Sequence, residues 1–191
     1  IQSIFFNGLV SVLDNHKKRW DRYTLSIFPN NNTQESFFFQ QLIATKSLLT
    51  MVNNWRAPYG ELKHDGLFPS YARGYFRGFW AWDSWKHAVA LVNFEPDVAK
   101  NQVRVMFDFQ NDQGMIADCV FPDTTIENHN WRDTKPPLSA WAAWSIYEQT
   151  KDSSFIAELY PRIVKYHEWW YKHRDHNGNG LCEYGSTDGT E

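Results

Sequence analysis

The chain has 191 residues, 42% hydrophobic and 17% aromatic, enough to bury the core of one ordinary domain. Its formal net charge of −3 and pI of about 6.2 provide no basic footprint, which argues against nucleic acid and anionic membrane surfaces as partners. No apolar run is long enough to cross a bilayer, and the opening Ile1-Gln2-Ser3-Ile4 lacks the charged and apolar regions of a secretory leader.

Residues 1–32 read as an irregular N-terminal segment. Ile4-Phe5-Phe6 and the run from Tyr23 to Phe28 have strand-like composition, Leu9 to Trp20 suits a short helix, and Pro29-Asn30-Asn31-Asn32 breaks the chain. A helix is predicted from Glu35 to Trp55, where Phe38, Leu42, Thr45, Leu49 and Val52 recur every three or four residues, with Thr33 as its candidate cap. Ala57 to Tyr71 is a loop, with turns at Pro58-Tyr59-Gly60 and Phe68-Pro69-Ser70.

Next comes Gly74-Tyr75-Phe76-Arg77-Gly78-Phe79-Trp80-Ala81-Trp82-Asp83-Ser84-Trp85, which follows neither a helical period nor strict alternation. Helices are predicted from Asp83 to Val92 and, opened by Pro96 at a first helical position, to about Gln110. The joint between them is short, so they are antiparallel neighbours. Asn111 to Thr134 is a long irregular segment. Pro136-Pro137 opens a helix to Thr150, and Asp152 starts another to Arg174, with Pro161 marking a kink or break.

The unit of long loop, helix, tight turn and helix thus occurs twice. An all-α fold built as a toroid of helical hairpins follows, with residues 33–191 supplying its N-terminal part. Such a toroid gathers its long loops at one end, where binding residues collect.

The aromatic stretch suits a sugar. Pyranose C–H faces lie well on indole and phenyl rings, while the hydroxyls need acceptors such as Asp83 and donors such as Arg77. The same residues also fit a packed core with Asp83 as a helix cap.

The string FRGFWAWDSW, with KPPLSAW and RDHNGNG downstream, resembles the catalytic domain of glycoside hydrolase family 63, and in particular its bacterial α-glucosidases. A related aromatic-Trp-Asp-Ser string makes trehalases a looser likeness. The match runs from about Tyr71 to Gly185 and implies an (α/α)6 barrel, of which this chain holds a part, the remainder of the same domain being its structural partner.

By that resemblance, Asp83 binds the sugar at the innermost subsite, Trp80 lines that subsite, and Arg77 holds a carboxylate or hydroxyl there. Asp118 accepts from sugar hydroxyls and Lys135 donates. Read alone, Asp118 equally suits a turn and Lys135 a solvated charge. The implied reaction is inverting hydrolysis of α-glucosidic bonds in oligosaccharides. The family's general acid and base lie in motifs that do not occur before Glu191, so no catalytic residue is expected in the chain itself. A non-catalytic carbohydrate-binding module and a trehalase-like hydrolase are the alternatives.

Asp175-His176-Asn177-Gly178-Asn179-Gly180-Leu181 places oxygen ligands at alternate positions around glycines. Ser186 stands where an EF-hand needs its bidentate Glu, which excludes that motif, and a solvated turn has the same composition. The resemblance implies calcium held by Asp175, Asn177, Asn179 and the Leu181 carbonyl, with Glu183 a local substitute for a distant glutamate. It also favours a periplasmic or extracytoplasmic location, with the cytoplasm as the alternative. Two cysteines, Cys119 and Cys182, are too few for a disulfide framework and leave their pairing open.

Overall fold

The structure, a computed structural model, describes residues 2–27, 35–70, 74–183 and 185–186. The expected break at Pro29-Asn30-Asn31-Asn32, the Thr33 cap and the end of the loop at Tyr71 lie outside the described residues. Two compact units are present, 1–50 and 51–191.

In the first unit, α1 spans Gln2–Ile27 and α2 spans Glu35–Asn53, the last turn of α2 belonging to the second unit. The irregular N-terminal segment is therefore corrected: one 26-residue helix replaces a short helix flanked by strand-like stretches. No proline interrupts it, so a helix nucleated in the middle propagates at one hydrogen bond per residue. The hydroxyls that argue for strand are absorbed locally. Thr24 Oγ1 donates to the Trp20 carbonyl at 2.9 Å and Ser26 Oγ to the Tyr23 carbonyl at 2.8 Å.

The second unit is two helical hairpins fed by loops. Helices α3 (Ala81–Leu91) and α4 (Pro96–Phe107) pack on each other, and α5 (Ser139–Thr150) packs on both and on α6 (Ser153–His173). Each buries one stripe at helical spacing: Ala81, Ser84, Trp85, Ala88 and Leu91 on α3, and Ser139, Ala142, Ala143 and Ile146 on α5. Helix α5 starts later than predicted. Pro136 and Pro137 lack amide protons and sit before the first turn, with Leu138 as N-cap. Helix α6 runs unbroken through Pro161. Its N-cap is Asp152, whose carboxylate accepts from the amides of Ser154 and Phe155 at 3.0 and 3.1 Å. Lys151, left-handed at φ 54°, makes the tight turn between α5 and α6.

Short antiparallel pairs hold the loops in place. Strand β1 (Trp55–Arg56) pairs with β2 (Gly66–Leu67), β3 (Phe79–Trp80) with β4 (Cys119–Val120), and β5 (Asp133–Thr134) with β6 (Gly185–Ser186). The fully buried Gln102 of α4 anchors the first of these to the helices. Its Oε1 accepts from the Leu67 amide, and its Nε2 donates to Ser84 Oγ of α3 at 2.9 Å. Gly66 allows that approach, since a Cβ there would stand 2.7 Å from Gln102 Oε1 and 2.8 Å from the Phe79 ring.

Candidate functional site

The site is assembled at the N-terminus of α3. Strand β3 runs directly into the helix, so Trp80 is both strand residue and N-cap, and Asp83 is the third helical residue. Asp83 is therefore not the N-cap, although its position in the first turn suits a negative charge. Strand β4 lies alongside, pairing Trp80 with Cys119, and the Asp118 carbonyl accepts from the Ala81 amide at 2.7 Å. Asp118 is tied on its other side as well, its amide donating to the Asn130 carbonyl at 2.9 Å. Two ligand-type residues far apart in sequence are thereby fixed to the same helix end.

The β3–β4 clasp requires Gly78. A Cβ at that position would stand 2.5 Å from the Val120 carbonyl oxygen and 2.8 Å from Cys119 Sγ.

Trp80 is flanked edge-on by two rings, Phe76 at 5.3 Å and Phe121 at 5.8 Å between centroids. Phe121 is itself held by a strap. Its amide donates to His129 Nδ1 at 3.1 Å, which leaves the proton on Nε2 to face Glu61 Oε2 at 3.4 Å. Glu61 also accepts from the Thr124 amide at 3.2 Å, so the loop of residues 57–62 and the loop of residues 121–129 are bound together.

Asp118 is only 4% exposed, and its Oδ1 is buried without a hydrogen-bond partner among the described residues. Burial pushes its carboxyl up to about 6; Lys135 pulls the other way, while Asp133 and Asp83 add to the rise. Burial also raises Asp83, against a weaker pull from Lys86, whose ammonium sits 3.3 Å above the Trp82 ring. Asp83, Asp133 and Lys135 thus each stand within electrostatic reach of Asp118.

Arg77 is exposed and acts on neither carboxylate. It lines a cavity of about 350 Å³ with Arg56, Tyr59, Phe68 and Phe76, and a smaller one of about 150 Å³ with Phe121 and Glu127.

Sequence reasoning missed Asp133 and Tyr166. Asp133 is placed by the β5–β6 pair, in which Thr134 Oγ1 donates to the Gly185 carbonyl at 2.8 Å, and by Asn130 Nδ2, which donates to its carboxylate at 2.8 Å. Tyr166 comes from α6, buried, its phenol held above the ordinary range mainly by burial, with Asp118 a further contributor. Neither sits in a motif; their relation to Asp118 exists only through tertiary pairing.

The predicted calcium loop forms a compact turn with Gly178 and Gly180 at φ 70° and 81°. The Asp175 carboxylate accepts from the amides of Asn179 and Gly180 at 3.0 and 2.9 Å, Asn177 Oδ1 from Asn179 at 3.1 Å, and Asn179 Oδ1 from Leu181 at 2.8 Å. Glu183 folds back to accept from the His176 amide at 3.3 Å. The donor set is all oxygen, which fits a hard cation. Among the described residues no group of three or more His, Cys, Asp or Glu side chains is arranged for a metal, so amide and carbonyl oxygens would have to contribute. Cys119 and Cys182 are both free thiols.

The profile of the mannosylglycerate hydrolase MGH1-like glycoside hydrolase domain matches residues 76–191, which contain Arg77, Trp80, Asp83, Asp118, Asp133, Lys135 and Tyr166. The chain belongs to this family. It lies within glycoside hydrolase family 63, as the motifs imply. The mannosylglycerate hydrolase MGH2 of Selaginella moellendorffii is 26% identical over 128 residues, covering 58% of this chain and 26% of that protein. A mannosylglycerate hydrolase of Thermus thermophilus is 26% identical over 136 residues, covering 61% and 33%. The crystal structure of a GH63 mannosylglycerate hydrolase from Thermus thermophilus in complex with Tris and D-glycerate superposes with a TM-score of 0.60 at 24% identity, over 72% of this chain and 35% of that one. That likeness establishes the fold, a mostly helical part of a helical toroid. The chain spans about a quarter to a third of the length of these family members. They are named for mannosylglycerate, whereas the motif resemblance points to α-glucosidases.

No helix among the described residues is long and apolar enough to cross a membrane.

Proposed function

We propose that this chain forms the sugar-binding end of a glycoside hydrolase catalytic domain, acting by inversion on a small hexoside. The observation that carries the reading is the convergence of Trp80, Asp83 and Asp118 at the start of α3, with Lys135 in electrostatic reach of Asp118, inside the segment that matches the glycosidase family. Trp80 offers a ring to the apolar face of the sugar, Asp83 accepts from hydroxyls, and Lys135 donates. Arg77, in its neighbouring cavity, is a holder for a carboxylate or hydroxyl on the leaving portion.

Inversion needs a general acid and a general base ~6.5–9.5 Å apart with water between them. The family resemblance implies that the pair lies elsewhere in the domain, with Asp83 and Asp118 as binding residues. The relatives' names favour mannosylglycerate as the substrate, and the FRGFWAWDSW string keeps α-glucosidic oligosaccharides as the second reading. Calcium at Asp175, Asn177, Asn179 and Leu181 has a structural role in this account, bracing the end of α6.

The test is hydrolysis by the full-length protein of mannosylglycerate and of α-linked glucose disaccharides, with the anomer released first identified by NMR. Cleavage of either substrate with inverted configuration supports the proposal, and preference between them assigns the substrate. Cleavage of neither by a folded protein rejects it.

A further inference from the structure

Asp118 poses a chemical problem that its role as a hydroxyl acceptor does not solve. The side chain is buried, its Oδ1 meets no donor, and an ionised carboxylate without donors is poorly tolerated away from water. The groups that face it deepen the difficulty. Asp83 approaches from α3 and Asp133 from β5, and Lys135, just beyond β5, is the single cation among them. Tyr166 from α6 and the adjacent Cys119 thiol are both held above their ordinary ranges by burial, so they stay neutral and bring no positive charge. Asp83 has Lys86 and Asp133 has Arg132 at 3.7 Å, so Lys135 is the one cation that offsets Asp118.

A glycoside offers both kinds of hydrogen-bonding atom. Its hydroxyls donate and accept, but its ring and bridging oxygens only accept, and a carboxylate has nothing to give them. The donors beside Asp118 are the Lys135 ammonium and the neutral Tyr166 phenol, whereas acceptors are already present in Asp83 and Asp133.

We propose that Asp118 engages the sugar as a neutral carboxylic acid, its O–H donating to a glycoside oxygen, so that sugar binding is accompanied by uptake of a proton. This rests on the reading that the α3 end binds sugar. It is a positioning role: the proton remains on Asp118 and no bond to carbon is made or broken there. The raised carboxyl, about 6 in the free protein, agrees with this arrangement, and a hydrogen bond donated by the neutral acid to a glycoside oxygen favours that form and raises it further. The affinity for sugar consequently falls as pH rises past the value for the free protein.

The test uses protein carrying 13C-labelled aspartate carboxyls, with the Asp118 signal identified by its loss in Asp118→Asn, titrated with and without saturating methyl α-D-mannoside. The expected midpoint is near 6 without sugar and at least about one unit higher with it, which corresponds to roughly tenfold weaker binding above about pH 8 than below about pH 5. Asp118→Asn keeps a donor at that position and should bind equally at both pH values, whereas Asp118→Ala should bind weakly at both. Lys135→Met, which removes the one cation, should raise the midpoint of Asp118 without sugar present, a readout independent of any ligand. A midpoint below about 5, a downward shift on adding sugar, or an Asn variant that fails to bind while wild type binds equally at both pH values would overturn the proposal in favour of an ionised acceptor. If no signal responds to sugar at any pH, the sugar-binding reading falls with it, while the ligand-free titration still reports separately whether Asp118 is neutral.

Discussion

The amide of Ala81 and the carbonyl of Asp118 meet at 2.7 Å, joining the first residue of α3 to the segment that enters β4. This bond places Asp83, two residues into the helix, beside Asp118, and the β3–β4 pair places Trp80 with them. The geometry of the candidate site therefore depends on a clasp only two residues long on each side.

Gly78→Ala tests that clasp. The added Cβ meets the Val120 carbonyl oxygen, a backbone atom, and the Sγ of the buried Cys119 well inside contact distance. Overpacking of this kind costs about 1–3 kcal/mol. Chemical denaturation should show a loss in that range, together with weaker sugar binding; unchanged stability would mean that β3 and β4 can separate freely.

Gln102→Leu tests how β2 is held to the helices. The substitution removes the acceptor of the Leu67 amide and the donor to Ser84 in a fully buried setting. A buried amide left without an acceptor costs about 1–3 kcal/mol. Thermal unfolding should fall accordingly, and a neutral result would show that water enters to replace the side chain.

Asp118 and His87 should tilt stability in opposite directions with pH. Burial raises Asp118 from its ordinary 3.8 to about 6, so its contribution is complete below about 3.8 and is lost as pH rises through 6. Burial lowers His87 from 6.5 to about 4, so its contribution is complete above 6.5 and is lost as pH falls towards 4. Each is worth at most about 3 kcal/mol over its window. Unfolding free energies measured from acid to mildly alkaline pH should rise at the alkaline end in Asp118→Asn and lose part of their acid-side decline in His87→Gln. Parallel profiles for wild type and both variants would contradict these shifts.

Calcium should raise the melting temperature of the protein, and chelation should lower it, if the loop from Asp175 to Leu181 holds the ion. At a concentration about 100 times its dissociation constant, a ligand that binds only the folded state adds about 2.7 kcal/mol. Asp175→Ala should abolish the difference. Equal melting of wild type with calcium and with chelator would leave the loop a hydrogen-bonded turn.

The helices α3 to α6 were legible in the sequence because each buries one stripe at the 3.6 period and carries its own punctuation, Pro96 opening α4 and Asp152 capping α6. Helix α1 was not, because Tyr23 to Ile27 favour strand by composition and only helix propagation overrides that preference. At the candidate site, the placement of Trp80 and Asp83 at the start of a helix was legible because the aromatic motif and the helix start coincide in one continuous stretch. Asp133 was hidden because its position is set by pairing with Gly185 and Ser186 and by Asn130. Arg77, close to Trp80 in sequence, lines cavities walled by Phe76 and Phe121, the two rings that flank Trp80; the short 3-10 turn at Gly74–Phe76 sets that placement, which no sequence pattern shows.

The role of Asp83 as the ligand of the innermost sugar is the claim on which the account stands, and Asp83→Asn in the full-length enzyme tests it most directly when two substrates are compared. One is the natural glycoside, whose leaving group needs a proton; the other is the corresponding glycosyl fluoride, which departs with little help. Each lost charge-assisted hydrogen bond should cost about 1.5–3 kcal/mol, a fall of roughly 10- to 150-fold in kcat/KM. The account predicts an equal fall on both substrates with the fold intact by circular dichroism. Abolished cleavage of the natural glycoside with the fluoride spared would contradict it and make Asp83 the general acid.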